Sequence, residues 1–461
     1  MPDEWKSARV SAIFKKGTRS DPRNYRPISI LPIVSKLLEK IVHSQLYKFC
    51  SENQILCLEQ SGFRPKHSTQ TSLHKLTETI HDELHKKKVV GLVALDLKKA
   101  FDTVDHSILL SKLEHYGISG TGLHWFRSYL TGRNQRACIN GNLSEPLEIH
   151  TGVPQGSILG PLLFILYIND LSVCLKHSMV NLYADDTLFF CSDKSSDTVS
   201  NFLQEDLANV LDWLHANKLS LHIGKTTSVL ICNNQKRKSL NSNLGLSLNG
   251  TEVNQSDECK YLGVTFDQEF RFDSQIDEIV NKLKKALGVF SRAAKFLTTE
   301  SQITLYNTLV LPHLDYCATV WGSSLRKSDT ARLQRLQNRA MRIILQCHPR
   351  THIVDMLRTL KWMSVSQRLH YNLCIFLWKI VNNEVPPYLQ NILTPVSDIH
   401  TYNTRASSHS NLFLNQSSPK SLSFLGSRIW NNIPQHVRDV RSLYSFKKGC
   451  TKYIFNKIAP I

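Results

Sequence analysis

The clearest hydrophobic pattern in the chain surrounds a pair of adjacent acids. Apolar and β-branched residues flank Asp185 and Asp186 in the segment 182–190, which predicts two short strands with the acids at the turn between them. The segment 89–95 is almost continuously apolar, the pattern of a strand buried on both faces, and it ends at Asp96. The pattern therefore places three carboxylates on two separate strand elements.

Helical periodicity accounts for most of the other apolar positions near the N-terminus. Between residues 33 and 49, apolar side chains recur at helical spacing, and we expect this face to belong to the core. Its members are Val34, Leu37, Leu38, Ile41, Val42 and Leu46. A polar amphipathic helix is predicted over 69–84, and a helix with one apolar face over 199–214.

The second half of the chain reads mainly as helix. Short strands are predicted at 228–232 and 261–266, and the pattern is helical from about 272 to near 385. Residues 394–427 are rich in Ser, Asn and Thr, which predicts a loose connection. A last small helical segment should contain Trp430 and Phe446.

Two loops carry the chemistry expected of a ligand site. Residues 151–161 hold three glycines and two prolines, so the backbone can approach a ligand closely, and Gln155 stands at the centre of this loop. Near the N-terminus, a strand over 8–14 ends in Lys15, Lys16 and a glycine, and Arg26 follows. Lys and Arg at the ends of paired strands form a clamp for a triphosphate, although a charged hairpin tip is more often only solvated.

The charge balance indicates a polyanionic partner. The 461 residues, enough for two or three lobes, contain 56 Lys plus Arg against 38 Asp plus Glu, a formal net charge of +18. Nucleic acid is the first candidate for such a surface. The densest apolar run, residues 162–168, is far too short to span a bilayer, so we expect no membrane partner. Eleven cysteines without a Cys-x-x-Cys pair predict reduced thiols in an intracellular compartment.

The three acids are the candidate catalytic residues. Two adjacent carboxylates repel one another, so Asp185 and Asp186 with Asp96 are a plausible site for divalent cations, although an isolated Asp-Asp pair at a turn is usually only solvated. Asp102 and Asp105 are alternatives, but Asp105 looks like a helix cap. The three acids, the glycine-rich loop and the basic hairpin are together the features that two-metal phosphoryl transfer requires. Without any resemblance to a known family, this combination indicates a metal-dependent nucleic-acid enzyme.

Several motifs together resemble those of reverse transcriptases. They are Tyr183-Ala184-Asp185-Asp186, Ala94-Leu95-Asp96 with Ala100-Phe101-Asp102, and Gly152-Val153-Pro154-Gln155-Gly156-Ser157 with Gly160-Pro161. Four more motifs look like the non-LTR retrotransposon branch, the jockey-like LINE elements: residues 24–29, 62–65, 169–171 and 261–263. The resemblance runs in order from about Trp5 to residue 350.

The resemblance implies an α+β right-hand polymerase with an antiparallel palm sheet, fingers, a helical thumb and a C-terminal helical tail. The fingers would take residues 1–88, the palm with interleaved fingers helices 89–270, the thumb 271–350, and the helical extension 351–461. The implied activity is RNA-directed DNA polymerisation, the transfer of nucleotides from dNTPs to a primer 3'-OH. An RNA template and a DNA primer are the implied partners.

The resemblance also implies roles for individual residues. Asp96, Asp185 and Asp186 would hold two Mg²⁺ ions, with Mn²⁺ as a substitute. The implied nucleotide-binding residues are Lys16, Arg26, Phe101, Gln155, Gly156 and Lys225. Phe101 matches the position whose ring excludes a ribose 2'-OH, Gln155 matches a contact to the incoming nucleotide and template, and Lys225 resembles the lysine proposed to protonate pyrophosphate. The choice between Lys15 and Lys16 stays open, and His222 stands where relatives usually have Asn.

Further arginines are candidates for holding the template. Arg64 follows a glycine in one of the resembling motifs. Four others fall at helical spacing on one face of a predicted helix, where an arginine stripe suits a phosphate backbone: Arg332, Arg335, Arg339 and Arg342. A solvated helix face is an alternative of equal weight.

Other hypotheses stay open at this point. Relatives in this branch normally carry an endonuclease upstream, whereas this chain begins almost at the first fingers strand, so we expect a truncated or partial element served by an endonuclease in trans. A domesticated RNA-binding protein without activity is the second hypothesis, against which the retained acids speak. A group II intron-type maturase would need a basic domain after the thumb. We expect a ribonucleoprotein of the nucleus and cytoplasm.

Overall fold

The computed structural model describes residues 1–237, 243–399, 411–415 and 417–457. Within these ranges the strands, in chain order, are β1 (Ser7–Phe14), β2 (Tyr25–Ile30), β3 (Val89–Leu95), β4 (Arg133–Ile139), β5 (Asn142–Leu143), β6 (Leu147–Ile149), β7 (Met179–Tyr183), β8 (Asp186–Asp193), β9 (Thr227–Ile231), β10 (Ser247–Leu248), β11 (Thr251–Glu252), β12 (Asn254–Gln255), β13 (Glu258–Tyr261) and β14 (Val264–Asp267).

The helices of the same ranges, in chain order, are α1 (Ile33–Glu52), α2 (Thr69–His85), α3 (His106–His115), α4 (Gly120–Leu130), α5 (Gly160–Tyr167), α6 (Ser196–Ala216), α7 (Asn234–Arg237), α8 (Asp273–Ala293), α9 (Thr299–Leu305), α10 (Leu311–Asp315), α11 (Ala318–Trp321), α12 (Lys327–Leu345), α13 (Ile353–Leu360), α14 (Val365–Val381), α15 (Pro387–Gln390), α16 (Leu422–Asn432), α17 (Gln435–Arg438) and α18 (Leu443–Lys457).

The central sheet has the strand order β12-β9-β3-β8-β7, and β3 pairs antiparallel with both β8 and β9. Helices cover both faces, which is why β3 reads as one apolar run. Val89 and Val93 belong to the same core cluster as Leu203 of α6. Leu92, which points to the other face, belongs to the cluster that includes Leu76 of α2. The predicted strand 89–95 and the helices on either side of it are confirmed.

A second sheet forms from the N-terminal strands and a later segment. Its order is β2-β1-β4-β5, and β6 also pairs with β4. Strand β1 runs antiparallel to β2 but parallel to β4. The strands β4 to β6 lie at 133–149 and were not predicted. Most of the β4 side chains are exposed, so the strand lacks an apolar stripe that could reveal it.

The expected core face of α1 is wrong in part, because Leu46 is buried as predicted but three other members of that face are exposed. Val34, Leu37 and Ile41 are 50%, 60% and 58% exposed, whereas Glu39 and Leu46 on the docked face are buried. Glu39 accepts hydrogen bonds from Ser157 and Ile158 of the glycine-rich loop, and these bonds hold the polar face of the helix inward. The apolar periodicity of residues 33–49 therefore predicted the helix correctly but not its orientation.

The helical region after the sheets begins with α8, as predicted, and extends through α14. Helix α12 packs on α8 through the apolar face predicted for it, since Leu333, Ala340 and Ile344 are all buried. A π-helical turn, Tyr306–Val310, joins α9 to α10. Helices α8 to α12 lie in the range 271–350 expected for the thumb, and α13 and α14 lie in the range expected for the C-terminal extension.

The C-terminal helices form a separate core cluster. Trp378 of α14, Trp430 of α16 and Phe446 of α18 are buried together in it. Helix α16 begins at Leu422, so the predicted loose connection was wrong over 422–427. Residues 400–410 and 416 of that connection lie outside the described residues.

No helix among the described residues has the length and the apolar character needed to cross a bilayer. All eleven cysteines are free thiols, and seven of them are buried.

Candidate active site

The sheet register brings the three predicted acids to one end of the central sheet. Tyr183 pairs with Asp186, which leaves Ala184 and Asp185 as a two-residue turn between β7 and β8. Leu95 pairs with Thr187, so Asp96 comes next to Asp186 where β3 ends. A hairpin turn and the end of a buried strand are both rigid supports for a functional side chain.

The carboxylates perturb one another. Burial raises the pKa of Asp186 to about 6, and the neighbouring charges of Asp185 and Asp96 add to this rise. Burial also raises the pKa of Asp185, with a contribution from Asp96, while Arg26 and Lys15 oppose it. The acids therefore form one electrostatic cluster that the cations of the β1–β2 hairpin can reach.

Lys225 is the counter-ion of this cluster. Its Nζ lies 2.8 Å from Asp96 Oδ2. Both side chains line a cavity of about 160 Å³ together with Asp186, Lys260 and Tyr261. In the part of the chain that is described, no three His, Cys, Asp or Glu side chains already surround a common point as metal ligands would. In this structure the ammonium of Lys225 neutralises the carboxylate of Asp96 through this ion pair.

Gln60 supports the acid turn from behind, a role that the sequence did not suggest. Its Oε1 accepts hydrogen bonds from the N–H of Ala184 (2.9 Å) and from the N–H of Gly62 (2.7 Å), and the side chain is fully buried. Ala184 has φ of +54°, a left-handed conformation that costs an alanine free energy. The amide of Gln60 thus stabilises a strained residue next to the catalytic candidates.

The segment that carries Gln60 lies against β7. The Ser61 N–H donates to Leu182 O (2.8 Å), and the Leu182 N–H donates to Glu59 O (3.1 Å). A Cβ on Gly62 would stand 2.3 Å from Ala184 N, so only glycine fits there. This close approach explains why a glycine is needed at the start of the 62–65 motif.

Arg64 holds the same segment in place. Its Nη1 donates to Cys57 O (2.7 Å) and to Gln60 O (3.0 Å). These bonds close the loop that presents Gln60 to the acid turn. The nucleic-acid contact predicted for Arg64 stays a prediction, and the structure adds an internal role that the sequence did not reveal.

The glycine-rich loop is fixed on two sides. The Ser29 N–H donates to Gln155 O (2.7 Å), and a Cβ on Gly156 would stand 2.2 Å from Ser29 O at a φ of +136°. Glu39 Oε2 accepts from Ser157 Oγ (2.8 Å) and from the Ile158 N–H (2.7 Å). Glu39 therefore joins α1 to this loop, and it too was missed because its partners are distant in sequence.

Phe101 and Gln155 meet around Asp102. Gln155 Nε2 donates to Asp102 Oδ1 (2.8 Å), and burial raises the pKa of Asp102. The ring of Phe101 stacks on Phe164 with centroids 4.3 Å apart, and its carbonyl accepts from the Val153 N–H (2.8 Å). The structure thus brings the two predicted nucleotide-binding residues to one place.

The remaining acid alternative is resolved by its contacts. Asp105 Oδ1 accepts from the Ile108 N–H (3.0 Å) and so caps α3, as predicted. Its Oδ2 pairs with Lys218 at 2.7 Å. This carboxylate serves the helix rather than the acid cluster.

The basic hairpin presents its cations to solvent. Lys15, Lys16 and Arg26 are exposed, and Arg26 lies opposite Ile13 in the β1–β2 register. Lys15 and Arg26 lower the pKa of Asp185. The choice between Lys15 and Lys16 as the phosphate contact stays a prediction.

The arginine stripe on α12 is not uniform. Arg332 pairs with Asp277 of α8 and with Asp329, so its charge is satisfied within the protein. Arg335 and Arg339 are exposed, and Arg342 is half-buried. Only the two exposed members retain the character of a phosphate-binding stripe.

A right-hand polymerase is defined by three features: a central sheet whose strands β9, β3, β8 and β7 run antiparallel and carry the acids at one end, a cationic hairpin sheet, and a helical region after them. The three parts are the palm, the fingers and the thumb predicted from the resemblance. Residues 13–266 match the family model described as reverse transcriptase (RNA-dependent DNA polymerase). The chain belongs to this family.

Curated relatives place it near the jockey-like branch, as predicted. It is 31% identical to the probable RNA-directed DNA polymerase from transposon BS of Drosophila melanogaster, over 75% of this chain and 39% of that protein. It is 28% identical to the RNA-directed DNA polymerase from mobile element jockey of the same species, over 75% of this chain and 38% of that protein. The chain thus spans about two fifths of the length of these relatives. Among solved structures, apo telomerase from Candida tropicalis aligns over 84% of this chain and 69% of that chain, at 12% identity and a TM-score of 0.41.

Proposed function

We propose that this chain is an RNA-directed DNA polymerase that extends a DNA primer on an RNA template by transfer of nucleotides from dNTPs. The observation that carries the proposal is the register that sets Asp96 beside the Asp185–Asp186 turn at one end of the central sheet. The family match and the positive charge of the chain support the same reaction.

The acid cluster suits divalent cations. Its donors are all carboxylate oxygens, the ligands that Mg²⁺ and Mn²⁺ prefer, and burial together with the neighbouring carboxylates raises the pKa of Asp185 and Asp186. Asp96, Asp185 and Asp186 would hold the ions. When bound, two such ions activate the primer hydroxyl and neutralise the triphosphate.

The chain's own residues would position the nucleotide. Arg26 and Lys15, with Lys16 at the same tip, supply positive charge for the triphosphate from the fingers. Phe101 would contact the sugar, and the loop of Gln155 and Gly156 would contact the base pair. Lys225, which pairs with Asp96, would donate a proton to the leaving pyrophosphate.

Primer extension tests the proposal directly. Purified protein is incubated with an RNA template, an annealed DNA primer, dNTPs and Mg²⁺, beside the Asp185→Asn, Asp186→Asn double variant. We expect extension by the parent alone and similar RNA affinity in both proteins, because the substitutions remove acids and leave the basic surface intact.

Two results would contradict the assignment. Extension by the double variant would exclude these acids as catalytic residues. If neither protein extends the primer and both bind RNA in a salt-sensitive manner, the chain is an inactive RNA-binding member of the family. Melting temperatures of both proteins show whether the variant is folded.

A further inference from the structure

A groove runs between α13 and the last helix, α18, well away from the acid cluster in sequence. The residues that line it include Val354, Leu357, Arg358, Lys361, Trp362 and Phe455, and the volume of this open groove is about 510 Å³. A smaller cavity of about 230 Å³ shares Lys361, Trp362 and Phe455 with it. Nothing in the proposed polymerase mechanism uses this groove.

The groove combines flat aromatic walls with cations at its rim. Phe455 is 41% exposed, so its ring is accessible to a ligand in the groove. Trp362 stacks on Tyr306 with centroids 4.2 Å apart and an interplanar angle of 21°, so the plane of its indole is fixed. The volume of the groove is enough for one planar base.

The charged side chains that line the groove are cations. Arg358 and Lys361 are exposed, and neither makes an ion pair with any described residue. No carboxylate lines either cavity. On α18, Lys448 and Lys452 are also exposed and lie within one turn of Phe455 or of Thr451, which lines the groove.

We propose that this groove binds one unstacked base of a single-stranded RNA, with the flanking phosphates held by Arg358 and Lys361. A base stacks on aromatic rings whatever its sequence, and guanidinium and ammonium groups at the rim neutralise the backbone. An apolar peptide would fill the cavity but would leave the rim charges unmatched. The complementary charge therefore selects nucleic acid over a peptide.

Photocrosslinking locates the binding site. A fluorescent oligouridylate of about ten nucleotides containing 4-thiouridine is bound to the full chain in excess unlabelled RNA–DNA hybrid, which occupies the polymerase cleft. We expect crosslinks in the peptides that contain Trp362 or Phe455. Crosslinks confined to the palm or fingers would overturn the proposal.

Anisotropy titrations of the same oligonucleotide measure the contribution of the groove. Phe455→Ala removes an exposed ring, and we expect binding about tenfold weaker, the loss of one stacked base. Arg358→Gln with Lys361→Gln should weaken binding similarly and flatten its salt dependence. The matched double variant Lys48→Gln with Lys194→Gln, two exposed lysines elsewhere, should stay within about twofold of the parent.

Other results would refute the site. Groove variants within twofold of the parent would show that the groove does not bind RNA. Equal losses for single-stranded and duplex RNA would exclude an unstacked base, and a loss of binding to phosphatidylserine vesicles alone would indicate a membrane surface instead. A parent that crosslinks at the groove but does not extend primers would refute the proposed polymerase activity and leave the groove assignment intact.

Discussion

The support of the acid turn by Gln60 leads to a prediction that separates positioning from substrate contact. Gln60→Leu keeps most of the side-chain volume but removes the acceptor of two buried N–H groups, those of Ala184 and Gly62. Each unpaired N–H costs about 1–3 kcal/mol. The left-handed conformation of Ala184 adds about 1–2 kcal/mol of strain that the turn must still carry.

With about 1 kcal/mol for each of the two N–H groups, the native conformation of the turn is destabilised by about 2 kcal/mol. This corresponds to roughly a 30-fold decrease in kcat if the acids are active only in the native turn. KM for dNTPs should change little, because Gln60 is fully buried and does not reach a nucleotide. Single-turnover primer extension at saturating dNTP gives the rate, and a titration of dNTP gives KM.

The strained residue offers a rescue experiment. Ala184→Gly relieves the left-handed strain. In the Gln60→Leu background it should therefore raise the rate about fivefold, equivalent to roughly 1 kcal/mol. Ser61→Ala is the matched control, since it removes a neighbouring hydroxyl that bonds Tyr388 and leaves the turn untouched. An unchanged rate in Gln60→Leu, or a tenfold increase in KM with kcat preserved, would refute the positioning role.

Two further predictions concern the site itself. Phe101→Ala should admit ribonucleotides, because the ring stacked on Phe164 lies beside the loop of Gln155, and unchanged sugar discrimination in single-nucleotide incorporation would reject the assignment. Asp186→Asn should stabilise the protein above pH 6 in EDTA. The pKa of Asp186 is raised from 3.8 to about 6, so the folded parent gains stability on protonation and loses it as the pH rises from about 4 through 6, whereas asparagine does not titrate. Melting temperatures from pH 4 to 8 should show a gain that vanishes at the acidic end, and a gain independent of pH would contradict this reasoning.

The elements that the sequence predicted well are those in which burial alone decides the pattern. Strand β3 is covered on both faces, so every position is apolar and the strand can be recognised without knowledge of its neighbours. The apolar face of α12 was predicted for the same reason. By contrast, β4 exposes most of its side chains and gives no periodic signal.

The residues that the sequence missed act through contacts distant along the chain. Gln60 bonds Ala184, which is 124 residues away, and Glu39 bonds Ser157, which is 118 residues away. A buried glutamate also explains the error in α1, because its bonds to the glycine-rich loop draw the polar side of the helix inward. No local propensity records such a contact, so only the tertiary structure reveals it.

The electrostatics of the acid cluster determine how the proposed cations would bind. Burial raises the pKa of Asp185 and Asp186, with a contribution from the neighbouring carboxylates, and Asp96 pairs with the ammonium of Lys225. Asp185 has only the more distant charges of Arg26 and Lys15. Any cation that binds these acids must compete with the proton and with Lys225, so cation affinity should rise with pH across the titration of Asp186. When a cation displaces Lys225 from Asp96, the ammonium becomes available to donate its proton to pyrophosphate. Cation binding would therefore be coupled to the role proposed for Lys225.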